Sequence, residues 1–190
     1  MAIIAAASAM VMPSIASVSG ADAKKAAGEL AGSMRALFDT AALRHQTCRL
    51  AIDLPVEKEK RPTFWAECAP GPAGVSAADA REDDDALARR FPDEADPEIR
   101  RMLGASTFGK LKDRMIVQRE LPGRTTFGPI HLEGRRDAQE TGTAYVYFFP
   151  GGQAQRAWIP VVDGSNVFTV VTEPFTGRVR VVSGKVEVRD

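Results

Sequence analysis

The stretch MAIIAAASAMVMPSIASV at the start of the chain carries no charged side chain, and the residues after it carry a single apolar stripe. In that second stretch Leu30, Met34, Leu37, Phe38 and Ala41 recur at the spacing of one helical face. Lys24, Lys25, Glu29, Arg35 and Asp39 fall mostly on the remaining surface. Nothing between Pro13 and His45 stops a helix firmly, although Gly20, Gly28 and Gly32 each weaken it by about 1 kcal/mol relative to alanine. The spacing predicts one long helix, apolar all round at first and amphipathic later. At about 1.5 Å per residue the uncharged part nearly matches a bilayer core of roughly 30 Å. Ile3, Ile4, Met10, Val11, Met12, Pro13 and Ile15 have no obvious partner within a small domain, so they form a candidate membrane or filament interface. The small residues Ala5 to Ala9 permit close helix approach. As a secretory signal peptide the stretch lacks a basic start, although Ala21-Asp22-Ala23 mimics a small-residue cleavage site.

After the helix the period changes from that of a helix to that of a strand. Cys48, Leu50 and Ile52 alternate with Arg49, Ala51 and Asp53, and a second β-prone run follows from Thr63 to Ala69. Paired as a hairpin, Cys48 opposes Cys68, Leu50 opposes Ala66 and Ile52 opposes Phe64, all six on one face. Cys48 and Cys68 are then either a cross-strand disulfide, in an oxidising compartment, or two buried free thiols. The chain thus divides into an apolar segment over 1–20 and a globular part over 21–190. The globular part comprises a helix over 21–46, a hairpin over 47–69, an acidic insertion over 70–104 and a β-rich part over 105–190. In the β-rich part strands are expected near Met115–Glu120, Phe127–Glu133, Thr143–Phe149, Arg156–Val162, Asn166–Thr172 and Arg178–Val182. A last one is expected over Lys185–Arg189, closing a small meander.

The formal net charge is zero, which removes the simplest argument for a nucleic-acid binder. Arg178, Arg180, Lys185 and Arg189 alternate near the end, but a solvated sheet face gives the same pattern and Glu187 interrupts it. Two cysteines and two histidines support no zinc site of the usual spacing. The acidic run Glu82 to Asp85 lacks the alternate ligands, central glycine and distant glutamate of a calcium loop. A Cys–His nucleophile pair drawn from His45, His131 and the cysteines has no local signature. His45 reads instead as the end of the helix, where an imidazole complements the dipole. No cofactor is implied, and the chain does not read as an enzyme.

Three places carry a family resemblance. Ala2-Ile-Ile-Ala-Ala-Ala-Ser-Ala-Met-Val-Met-Pro-Ser-Ile resembles the later part of a pilin apolar segment, with its proline at Pro13. Ala27 to Leu54, with Glu29-Leu30, Arg35 and Ala41-Ala-Leu-Arg, resembles a helix-to-strand passage. Tyr147-Phe-Phe-Pro-Gly-Gly and Glu173-Pro-Phe-Thr-Gly-Arg-Val-Arg-Val resemble two turn-bearing motifs near the C-terminal end. Together they resemble the H-type minor pseudopilins of type II secretion and the related FimT-like minor pilins, within the type IV pilin superfamily. The resemblance leaves roughly residues 70 to 125 unmatched.

The resemblance implies an α+β, pilin-like fold with a long N-terminal helix packed on antiparallel β-sheets. It implies a structural minor pseudopilin of a type II protein secretion system, assembling into the periplasmic pseudopilus near its tip. Partners would be other minor and major pseudopilins, the inner membrane before extraction, and a secreted substrate or the outer-membrane channel; nucleic acid is not expected. The implied location is the bacterial inner membrane, single-pass, with the globular domain in the periplasm. Such proteins have a basic leader cut before a Phe that becomes N-methylated, with a Glu soon after. None of that is in this sequence, and Met1 would lie inside the apolar helix. Two alternatives stand beside this reading. One is a FimT-like minor pilin of a type IV pilus, with a DNA-binding surface. The other is a soluble periplasmic β-domain with a trimmed signal peptide.

Overall fold

The structure is a computed structural model and describes residues 20–57, 59–69, 108–111 and 116–187. The apolar stripe does what its spacing demands. Helix α1 (Ala21–Arg44) buries Ala23, Ala26, Ala27, Leu30, Ala31, Met34, Leu37 and Ala41 and leaves Lys24, Lys25, Arg35 and Asp39 exposed. Leu30, Met34 and Leu37 are completely shielded from solvent, and each such burial contributes about 1.5–3 kcal/mol of transfer free energy. At its end His45 takes the left-handed conformation, φ 51°, and its N–H donates to the Ala41 carbonyl.

The start of α1 differs from the expected helix unbroken from Pro13. Gly20 sits at φ 110°, ψ −14°, which is not helical, and it serves as the N-cap residue. Its N–H donates to the buried Asp163 carboxylate at 3.2 Å, an acceptor placed where the helix dipole favours a negative charge. A Cβ on Gly20 would come within 2.7 Å of the Asn166 side chain, so the position suits only glycine.

Two antiparallel sheets pack against α1. The first is built on β1 (Cys48–Leu54) and β2 (Thr63–Cys68), with β7 (Gly142–Phe149) on the other side of β1 and the short β8 (Gln153–Ala154) beyond it. The short strands β3 (Gly109–Lys110) and β4 (Arg119–Glu120) both pair with β2. The β1–β2 register is Cys48↔Cys68, Leu50↔Ala66 and Ile52↔Phe64, the pairing that the alternation predicts. The second sheet is centred on β9 (Ala157–Asp163) and β10 (Asn166–Thr172), with β11 (Val179–Ser183) outside β10. On the far side of β9 lie β5 (Thr126–Phe127) and β6 (His131–Leu132). Helix α1 touches β1 and β7 of one sheet and β9, β10 and β11 of the other. One apolar core, including Leu30, Met34, Leu50, Phe64, Phe148 and Ile159, therefore joins all three layers.

Further sequence expectations are corrected, and the strand expected over Met115–Glu120 is only Arg119–Glu120 within its described part. The strand expected over Phe127–Glu133 is two short pieces on the same partner. Between the pairs Phe127↔Val161 and His131↔Trp158 one chain advances four residues and the other three, so one extra residue bulges out. Pro129 lies in this step and has no N–H for the ladder. The strand expected over Lys185–Arg189 does not form across its described part, 185–187; pairing ends at Gly184, which makes a lone parallel bridge to Phe168. Most consequentially, no helix among the described residues is long and apolar enough to cross a membrane. The single-pass inner-membrane location is overturned on that finding: α1, the one helix of that length described, spends its apolar face inside the domain and carries lysines and acids elsewhere.

Gly28 and Gly32 lie one turn apart on the exposed side of α1, and a Cβ at either would meet nothing within 4 Å among the described residues. Within the domain they only weaken the helix. Gly28→Ala with Gly32→Ala should therefore raise stability, by about 1 kcal/mol per site, as an increased urea midpoint at unchanged slope.

Candidate interaction surface

The residues singled out from sequence fall into three groups. Ile3, Ile4, Met10, Val11, Met12, Pro13 and Ile15 lie outside the described residues, as do the 70–104 insertion with Glu82 to Asp85, and Arg189. Cys48 and Cys68 are joined by a disulfide with Cα atoms 4.0 Å apart. With both sulfurs bonded, neither is a thiolate for His45 or His131 to activate. Among the described residues no group of three or more His, Cys, Asp or Glu could hold a metal ion. The third group, the helix and the two turn-bearing motifs, comes together at one end of the domain.

That convergence has specific contacts. The turn after β10 folds back so that the Glu173 N–H donates to the Arg178 carbonyl at 2.9 Å. Gly177 sits at φ 58°, pressed on helix α1: a Cβ there would lie 2.5 Å from three atoms of the Phe38 ring. One turn earlier on the helix, the Arg35 guanidinium donates to the Val179 carbonyl at 2.6 Å. The second motif joins from the other sheet. After the Phe149–Gly152 turn, the Ala154 N–H donates to the Pro174 carbonyl at 2.7 Å. The chain then crosses from one sheet to the other, and the buried Thr172 hydroxyl fastens the crossing. It donates to the Gln155 carbonyl and accepts from the Ala157 N–H, at 2.7 and 2.8 Å. Helix, both sheets and both turns are thus locked at one corner. Gly177→Ala should cost about 2–4 kcal/mol, from strained backbone plus ring overlap. A double-mutant cycle with Phe38→Ala should recover the overlap part and leave the backbone part.

Outside this corner lies a cleft of about 330 Å³, lined among others by Arg156, Trp158, Val171, Glu173, Phe175 and Arg180. Its floor follows from strand register, since Arg180, Val171 and Trp158 oppose one another across β11, β10 and β9, with His131 next on β6. Phe175, at the tip of the turn, is 80% exposed. Arg180 is held by Glu173 at 2.9 Å. The Arg156 guanidinium stands 6.0 Å from the Trp158 ring centroid.

The other sheet carries a covered polar cluster on the face opposite Cys48, Leu50 and Ile52. Arg49 is only 5% exposed. Its guanidinium pairs with Glu67 at 2.7 and 2.8 Å and lies over the rings of Phe108 and Tyr145, at 4.2 and 4.0 Å from their centroids. Trp65 Nε1 donates to the other Glu67 oxygen at 2.6 Å. The alternation of β1 correctly puts Arg49 on the outer face. What covers it is Phe108, from far along the chain, and local sequence carries no sign of that.

No protein-family model matches the chain, and no curated protein matches it. Among solved structures, it is similar to the minor pseudopilin EpsH from the Type 2 Secretion System of Vibrio cholerae. The TM-score is 0.50 and the identity 11%, over 87% of this chain and 99% of that one. At that identity the likeness establishes the fold alone, a long α-helix packed on two antiparallel sheets.

Proposed function

We propose that the protein is a structural subunit of a pilus-like filament, of the minor pseudopilin kind that serves type II protein secretion. The single observation that carries this reading is the shared fold, which extends over nearly the whole of both chains rather than one sheet or hairpin. A second observation supports it: the two pilin-like stretches that lie among the described residues meet at the corner built by Arg35, Phe38, Pro174 and Gly177. In this reading Ile3, Ile4, Met10, Val11, Met12, Pro13 and Ile15 supply apolar helix contacts to neighbouring subunits, and the β-domain faces outward. Gly28 and Gly32, where a Cβ would stay clear of every described residue, let another backbone approach closely. The partners are other subunits of the filament, and a place near its tip fits a minor component.

Deleting the gene tests the reading. Loss of protein secretion with intact surface pili, restored by the unaltered chain but not by Gly28→Leu with Gly32→Leu, is the expected result. A pilus defect with normal secretion would assign the protein to a type IV pilus as a minor pilin. Normal secretion and normal pili would end the filament reading.

A further inference from the structure

The geometry points to the cleft beside Phe175 as a docking site for an acidic peptide segment that carries an aromatic side chain. The inference rests on the cleft itself and stands independently of the filament reading. Its apolar lining comes from Trp158, Val171 and Phe175, and Phe175, 80% exposed at a turn tip, is not part of the buried core. Exposed aromatics beside a pocket, with arginine close by, are the residues that dominate binding energy at protein interfaces. A volume of about 330 Å³ suits one large side chain and its flanking backbone.

Charge selects the rest of the partner. Arg180 is neutralised by Glu173. Among the described residues no carboxylate pairs with Arg156, whose guanidinium faces the Trp158 ring. A carboxylate next to an aromatic anchor would satisfy both, taking two parallel N–H donors from Arg156 while the ring stacks between Trp158 and Phe175. With Arg180 paired to Glu173, the cleft offers one guanidinium rather than the run of cations that a phosphate backbone needs, so peptide is favoured over nucleic acid. Strand β11, outermost in its sheet among the described residues, contributes Arg180 to the cleft.

The test is selection of a random dodecapeptide phage library on the full-length chain, followed by affinity measurement with the resynthesised peptides. The expected consensus is an aromatic residue adjacent to Asp or Glu. Binding should weaken tenfold or more in Phe175→Ala and in Arg156→Gln. Both residues lie outside the core cluster, and unchanged thermal melts of the two variants would exclude misfolding as the cause. Absence of a consensus, a basic consensus, or full affinity in either variant would overturn the proposal. So would displacement of the peptides by a 20-base-pair DNA duplex at physiological salt, which would make the face a nucleic-acid site.

Discussion

Arg49→Ala should lower the stability of the domain by about 3–5 kcal/mol, the penalty for leaving a buried charge without its partner. That corresponds to a fall in Tm of roughly 6–20 °C for a domain of this size. Glu67 has a side chain only 12% exposed and would keep a single described donor, Trp65 Nε1. The Phe108 and Tyr145 rings would lose the guanidinium between them. The cost comes from breaking the pair rather than from lacking one. Arg49→Met with Glu67→Leu, which removes both charges and keeps volume, should recover most of the loss. Thermal melts of the single and double variants check this. A double variant as unstable as Arg49→Ala alone would show that stacking, not charge, is what matters there.

The second large effect is expected at Cys48 and Cys68. They close the open end of the hairpin, opposite its Leu54–Thr63 turn, just where the chain leaves the sheet after Ala69. With a sequence separation of 20, the loop-entropy account gives about 3 kcal/mol of stabilisation for the bridge. The return of the chain is fastened at the same place. Gly109 pairs with Cys68, Lys110 pairs with Glu67, and Phe108 packs edge-on against Tyr147 with a centroid distance of 5.9 Å. The disulfide thus holds together the base of the excursion over 70–107. Reduction with dithiothreitol, or Cys48→Ala with Cys68→Ala, should lower the urea midpoint accordingly. An unreduced chain that labels with iodoacetamide at both cysteines would contradict the bridge.

How much of this was legible in the sequence depends on how local the cause is. The stripe from Leu30 to Ala41 and the alternation from Cys48 to Ile52 come from a side chain's own place in a helix or strand, and α1 and the β1–β2 register follow from them. The Pro174–Gly177 turn was legible for the same reason, since proline and glycine set their backbone angles themselves. Its meaning was not, because the close fit of Gly177 on Phe38 joins residues more than a hundred positions apart. Gly20 shows the same limit. Its glycine was visible as a weak helix former, but the Asp163 carboxylate that accepts its N–H comes from the end of β9. The step at Gly128-Pro129 did carry a local signal, because a proline inside a strand run removes a ladder N–H and marks a bulge or an edge. The cleft could have been suspected only from Phe175, an aromatic residue placed in a turn where nothing local would cover it.

The proposal that this chain is a filament subunit is tested most directly by the composition of filaments sheared from the cells that make it. Quantitative mass spectrometry of those filaments should find the chain at a small fraction of the major subunit, and in the same fraction as the other minor subunits. Finding the protein in the cell at normal abundance, but absent from every filament preparation, would contradict the claim.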